Sequence, residues 1–335
     1  MATIKDVAKL AGVSPATVSR VLSSTVVVSP KTKTRIEKAI AELDFRPNAH
    51  ARALVSKSTH TIGVVISQLA DPFFAQMASS IEDVAKKRKF QVLVSTGSLD
   101  AQKELTAIKS LQAQRCEAMV VNSKALADDV LIDLAQRIPG FVLINKFIPQ
   151  ISQRCVWFDN VAGGKVMADY MASLGHANIV VLSTKERVYD ATHRLNGIRQ
   201  SLSQHNINLP DQHIAYGSPD YAGGREAIEH LIEQGITFTA VLCYNDAMAT
   251  GVISALTDLG RRIPDDVSIV GFDDVLLAKY CMPKLTTVKY PIDIMARKAT
   301  ELALSLIAKD RPLNQSDKDY QYKPFLVKRE SAAKC

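Results

Sequence analysis

Polar side chains able to do chemistry recur in this chain directly after short apolar runs. TIGVVIS leads into Asp71, Pro72, Phe73 and Phe74, FVLI into Asn145 and Lys146, TAVLCY into Asn245 and Asp246, and VSIVGF into Asp273 and Asp274. Taken singly, each has a plain structural explanation. Asp71 before Pro72 is a good helix opening, Asp246 and Asp274 are good caps, and the two phenylalanines suit a core. Collected at one edge they suit a polyhydroxylated ring, whose apolar face stacks on aromatics while its hydroxyls take two-pronged hydrogen bonds from charged and amide groups. A second constellation lies near the start, where Pro15, Ala16, Ser19 and Arg20 share the polar face of a short helical pattern. Small polar and basic side chains in that arrangement suit the edges of DNA bases.

The elements that would position these groups are legible from spacing. In TIKDVAKLAGVSPATVSRVL, Ile4, Val7, Ala8 and Ala11 form an i, i+3, i+4, i+7 stripe behind a capping box of Thr3 and Asp6. Gly12 breaks that helix, Ser14 and Pro15 open a second, and Val18, Val21 and Leu22 face inward. Two helices joined by a tight Gly-containing turn predict a helix-turn-helix whose second helix enters the major groove; the plainer alternative is a small helical bundle. Ser29 and Pro30 open a third helix with the stripe Ile36, Ala39, Ile40 and Leu43. After Pro47, Asn48 can cap a helix of barely two turns ending in Leu54 and Val55. So short a helix forms only when something packs on it. Leu54 beside Arg52 and Lys57 suits a wedge in a minor groove, or else a plain helical linker.

From Thr61 onward ten short apolar runs alternate with amphipathic helical patterns. Continuous apolar strands separated by helices predict parallel sheets covered on both faces. Ten strands exceed one simple sheet, so two doubly wound units are expected, with an internal echo in DNVAGGK and DYAGGRE, each opening a helix. Ligands of such paired sheets lodge in the cleft at the strands' carboxyl ends.

Charge and composition narrow the partners. Of the formal net charge of +7, residues 1–60 hold +6, from ten Lys or Arg against four Asp or Glu. A basic head on a near-neutral body points to a polyanion bound by the head. The five cysteines form no CxxC pair and no zinc-spaced cluster, so reduced, mostly buried thiols and no metal are expected. No apolar core segment opens the chain and no run of about 18 apolar residues occurs, so neither export nor a membrane span is expected. An enzyme on this scaffold lacks support: Asp159 stands where a phosphate loop needs its first Gly, no GxGxxG opens a helix, and no Ser/His/Asp order stands out. A solute receptor fits the α/β part but not the basic head.

MATIKDVAKLAGVSPATVSRVL, RPNAHARALV, DPFF, RLNG, CYNDAMATG and GFDDVLLAKYCMPKLTTVKYP together resemble the lactose-repressor/galactose-repressor family, closest to its galactose-repressor and isorepressor branch. The likeness runs from residue 1 to about 330. It implies a helix-turn-helix head over 1–46 and a hinge helix and linker over 47–59. It further implies two periplasmic-binding-protein-like lobes, 60–160 plus 292–321 and 161–291 plus 322–335. Base reading by Pro15, Ala16, Ser19 and Arg20 follows from the resemblance, as do minor-groove contact through Asn48, Arg52 and Leu54 and a sugar cleft of Phe73, Phe74, Asn145, Lys146, Arg194, Asn245 and Asp273. The implied protein is a cytoplasmic homodimeric repressor without a cofactor, bound to a pseudo-palindromic double-stranded operator and released by galactose or a close relative. Two positions depart from the family pattern: Pro15 replaces the usual aliphatic or polar residue, and Lys146 stands where Arg is more common. The tail after 300 carries no sustained heptad run, so a tetramerising coiled coil is not expected.

Overall fold

The computed structural model describes residues 2–23, 28–45, 58–185, 188–308 and 320–335. The chain divides into two compact units, Met1–Thr59 and His60–Cys335. In the first, helices α1 (Ile4–Ala11), α2 (Pro15–Ser23) and α3 (Pro30–Glu42) enclose a core of Val7, Ala8, Ala11, Val18, Ile36 and Ala39. The local signals act as read. Thr3 and Asp6 close a capping box, with the Thr3 amide donating to Asp6 Oδ2 at 2.8 Å. Gly12 ends α1 at φ 62°, a left-handed conformation open to Gly at little cost. Ser14 Oγ accepts from the Thr17 amide at 3.2 Å, and Ser29 Oγ from the Thr32 amide at 3.4 Å, so orphan donors of α2 and α3 are satisfied. The hinge residues Asn48, Arg52 and Leu54 lie outside the described residues.

The second unit holds two six-stranded sheets. The first has the order β11 (Gln321–Tyr322), β5 (Cys155–Phe158), β4 (Gly140–Ile144), β3 (Ala118–Val121), β1 (Thr61–Ile66) and β2 (Gln91–Thr96), all parallel. The second has the order β12 (Phe325–Val327), β10 (Thr286–Lys289), β9 (Ser268–Asp273), β8 (Ala240–Cys243), β6 (Ile179–Thr184) and β7 (Ile214–Gly217). The ten apolar runs are β1 to β10. The additional β11 and β12 have two and three residues, too few to show a period, and β12 runs antiparallel to β10, a departure from the all-parallel expectation.

The backbone passes between the sheets three times: from β5 into α7 (Asn160–Ser173), from β10 into α12 (Ile292–Ile307), and from β11 to β12. Helix α12 packs on β3, β4 and α4 (Pro72–Lys87), and so belongs with the first sheet. Tyr322 pairs with Phe158, so the last crossing falls after residue 322, one residue beyond the boundary at 321 that the resemblance implies. At the first two crossings Tyr290 stacks on Phe158 with ring centroids 4.0 Å apart and meets Phe73 edge-on at 5.1 Å.

The echo in the sequence has a common structural meaning. Asp159 caps α7 by accepting from the Ala162 amide at 2.9 Å, and Asp220 caps α9 (Tyr221–Glu233) by accepting from the Gly223 amide at 2.8 Å. The glycines that follow let helices meet backbone to backbone. A Cβ at Gly164 would fall 2.0 Å from the Arg194 carbonyl oxygen, and one at Gly197 would fall 2.0 Å from that of Val161. These contacts fix α7 against α8 (Tyr189–Gln204), the helix that carries Arg194. Gly224 and Gly251 pair α9 with α10 (Asp246–Asp258) in the same way.

Candidate functional site

Two surfaces carry the candidate chemistry. On α2, Pro15, Ala16, Ser19 and Arg20 are all exposed, while Val18 from the same helix is fully buried in the head's core. The amphipathic division puts the polar, basic stripe where a groove can reach it.

The other surface is a cavity at the carboxyl ends of β1, β6, β8 and β9. It is lined in part by Phe73, Phe74, Arg194, Asn245 and Asp273, five of the seven residues assigned from the resemblance. The two phenylalanines meet edge to face, centroids 5.3 Å apart, on the first turn of α4, whose N-cap Asp71 accepts from the Phe73 amide at 2.9 Å. Asp71 therefore does the capping its sequence suggested while lining the cavity, where burial raises its pKa.

Arg194 is the centre of the opposite wall. Its Nε donates to Asn160 Oδ1 at 2.9 Å, its Nη1 to the Tyr244 carbonyl at 2.6 Å, and its guanidinium lies 3.6 Å from the Phe272 ring centroid. Nη2 stands 3.5 Å from Asp190 Oδ2 and 3.8 Å from Asp273 Oδ1. The two carboxylates respond differently to burial. Burial works against the charged form of Asp190, but Lys124 at 2.5 Å, with Arg194, outweighs it and holds the pKa below the usual carboxylate range. Asp273 is buried with the more distant Arg194 as its opposing charge, and burial wins, carrying its pKa well above that range.

Asn145 and Lys146 are not brought to the cavity wall. Asn145, at φ 70°, accepts from the Tyr290 hydroxyl at the crossing between the sheets. Lys146 Nζ donates to the Leu126 carbonyl at 3.1 Å and pairs with Asp128 at 2.8 Å, so its charge is spent on the loop that follows β3. Asn245 does reach the cavity, but its amide also caps α10 and donates to the Pro219 carbonyl at 2.9 Å. The cap on that helix is thus Asn245 rather than Asp246. Asp246 is fully buried, accepting from the Val275 amide at 2.9 Å and the Thr287 hydroxyl at 2.6 Å, and burial pushes its pKa up to about 7. Asp274 caps no helix; it pairs with Arg329 at 2.5 Å and Lys289 at 3.1 Å.

Several lining residues lie outside the set that the resemblance implies, among them Ser67, Lys124, Asp190 and Tyr244. Asp190 had a signal, since it precedes Arg194 by four residues and so shares its helix face. Lys124 follows the run EAMVVN by two residues and had the same signal as the sites that were singled out. Among the described residues there is no group of three or more His, Cys, Asp or Glu able to hold a metal ion, and no helix is long and apolar enough to cross a membrane.

Comparison with known proteins bears on both surfaces. Residues 3–48 match the model for bacterial regulatory proteins of the lacI family, and residues 168–332 match that for a periplasmic binding protein-like domain. The chain is 41% identical over 333 residues to the HTH-type transcriptional regulator GalR of Escherichia coli (strain K12), covering 99% of this chain and 96% of that one. It is likewise 41% identical to GalS of Salmonella typhimurium (strain LT2), covering 99% and 97%. Among solved structures, the lac repressor dimer bound to operator and the anti-inducer ONPF superposes with a TM-score of 0.84 at 28% identity, covering 99% of each chain. A helix-turn-helix head, two largely parallel sheets with a cavity at the ends of their strands, and this likeness over almost the whole length place the chain in the lacI family of bacterial regulatory proteins.

Proposed function

We propose that this regulator is a cytoplasmic homodimeric repressor that binds a pseudo-palindromic operator and is released by D-galactose or a closely related sugar. Pro15, Ala16, Ser19 and Arg20 read base edges, and the 47–59 segment, with Asn48, Arg52 and Leu54, contacts the minor groove. The sugar lies between the lobes, stacked on Phe73 and Phe74 and held by Arg194, Asp273 and Asn245. Asn145 and Lys146 contribute by fixing the crossing and the loop after β3.

The observation that carries the reading is the pairing of two phenylalanines with the Arg194 and Asp273 side chains around one cavity. An apolar patch facing two-pronged polar groups is the complement of a pyranose, with one apolar face and a rim of hydroxyls. The names of the relatives GalR and GalS agree with galactose as the sugar. Release follows if the sugar binds one lobe arrangement better than the other, since a ligand of equal affinity for both shifts nothing. Calorimetry with a panel of hexoses, and footprinting on the promoters of sugar-metabolism genes with and without the sugar that binds, test the proposal. Galactose should give saturable heat and lift the footprint; heat without release, or release by none of the panel, overturns it.

A further inference from the structure

A buried carboxylate outside the cavity has no place in that reading. Glu104, on α5 (Ala101–Ala113), is 1% exposed. The loop after β3 wraps around it: Oε2 accepts from the Ser123 hydroxyl at 2.5 Å and the Leu126 amide at 3.2 Å, and Oε1 from the amides of Lys124 at 2.9 Å and Ala125 at 3.1 Å. Successive backbone amides converging on one anion make a rigid nest. Lys146 holds the far end of the same loop through Leu126 and Asp128. The result is a fixed backbone from which Lys124 projects across the cavity.

Lys124 follows a strand of the first sheet, whereas Asp190 opens α8 beside the second. Their ion pair, 2.5 Å long with both side chains less than a tenth exposed, ties the two walls together. Asp190 Oδ2 also accepts from the Tyr244 hydroxyl at 2.9 Å. Its Oδ1 is buried with no hydrogen-bond partner among the described residues, and neither has Ser67 Oγ on the same cavity. A buried acceptor left unpaired is costly, and a ligand hydroxyl donating to it removes that cost.

We propose that Lys124 and Asp190 form a latch across the effector cleft, that Glu104 is the positioning residue that sets it, and that Oδ1 of Asp190 accepts a hydroxyl of the bound sugar. The latch populates the closed arrangement before the sugar arrives. Apparent affinity is the intrinsic affinity scaled by the fraction already competent, so a weaker latch means weaker sugar binding without the loss of any contact between Lys124 or Glu104 and the sugar. This inference rests on the sugar-cleft reading above and adds three residues to it.

The test is a double-mutant cycle on the full-length protein, with galactose calorimetry as one readout and amide hydrogen exchange of the sugar-free protein as the other. Lys124→Met and Glu104→Gln should each weaken galactose binding about tenfold, the double variant no more than the worse single one, and Lys124→Arg should restore most of the loss. Asp190→Asn should lose more than either, because latch and acceptor are both affected. Without sugar, Glu104→Gln should speed exchange at the amides of 124–126, and Lys124→Met should speed it at the start of α8. Losses that simply add, affinities within twofold of the parent, or unchanged exchange at both places would overturn the latch. If the parent protein binds none of the hexoses, the galactose reading fails by itself and the exchange data alone decide whether the latch exists.

Discussion

The head and the cleft present polar chemistry in opposite ways. On α2 the candidate base-reading side chains stand exposed on a helix whose other face is core. Around the cavity the charged groups are buried and already engaged with one another: Arg194 with Asn160, Tyr244, Asp190 and Asp273, and Asp190 with Lys124. An exposed side chain can be removed at little cost to folding, because water replaces its partners. A buried ionic network cannot lose one member without stranding the others. Function and stability are therefore separable in the head and entangled in the cleft.

The sharpest break in that contrast is Arg194→Met. It leaves Asp190 and Asp273 buried with reduced compensation, and removing one partner of a buried pair costs about 3 to 5 kcal/mol. A thermal melt of the core should show it as a large drop in Tm, together with loss of sugar binding. A parent-like melt would mean that water reaches the network and that the cleft behaves like a surface.

Asp273→Asn should divide the two quantities even inside the cleft. Its folded pKa is raised, so whatever it contributes is fully present below its unfolded pKa and lost as pH rises through the folded value; a neutral amide forfeits none of this at pH 7. The melt should stay level or improve. An amide can accept through one prong only, so sugar affinity should fall by about 1.5 to 3 kcal/mol, with operator release shifted to higher sugar. A destabilised but fully inducible variant would remove Asp273 from the sugar site.

Arg20→Ala is the counterpart in the head. Operator affinity should drop by about 1 to 3 kcal/mol with altered preference at one position of each half-site, while the melt barely moves. Equal weakening on every sequence variant would instead make Arg20 a phosphate contact.

A further prediction concerns pH. Asp246 has a folded pKa of about 7, above the ordinary carboxylate value, so the folded state binds more protons than the unfolded one between roughly pH 4 and 7 and stability falls as pH rises through that window. One proton gives a slope of at most about 1.4 kcal/mol per pH unit, and Asp246→Asn should flatten it. Denaturant melts across the window measure this; an unchanged slope would assign the titration elsewhere.

The same contrast explains what could be read from residues alone. The head is local: each cap, stripe and break lies within four residues of what it acts on, as Thr3 does with Asp6. Most of the strands β1 to β10 were legible for a similar reason, because burial on both faces writes a continuous apolar run; β2 is the exception, an apolar run whose residues are exposed or half-buried. The cavity is not local. That polar groups gather at strand ends could be read, but not which way they turn. Asn145 and Asn245 occupy similar places after a strand, yet one turns to Tyr290 and the other reaches the cavity. Asp190 and Glu104 were missed because both sit on helices, and their partners lie 66 residues away at Lys124 and 19 residues away at Ser123.

The glycine contacts between α7 and α8 carry a mechanical consequence. Side chains between helices act as compliant spacers that absorb small displacements by changing rotamer; two backbones in direct contact have no such play. Helix α7 begins where the chain leaves β5, and its cap Asp159 is pinned to the first sheet by the Gln321 amide at 3.3 Å. A rotation arising at that crossing is delivered stiffly through Gly164 and Gly197 to α8, and Arg194 and Asp190 ride on it as a lever arm rather than as independent side chains.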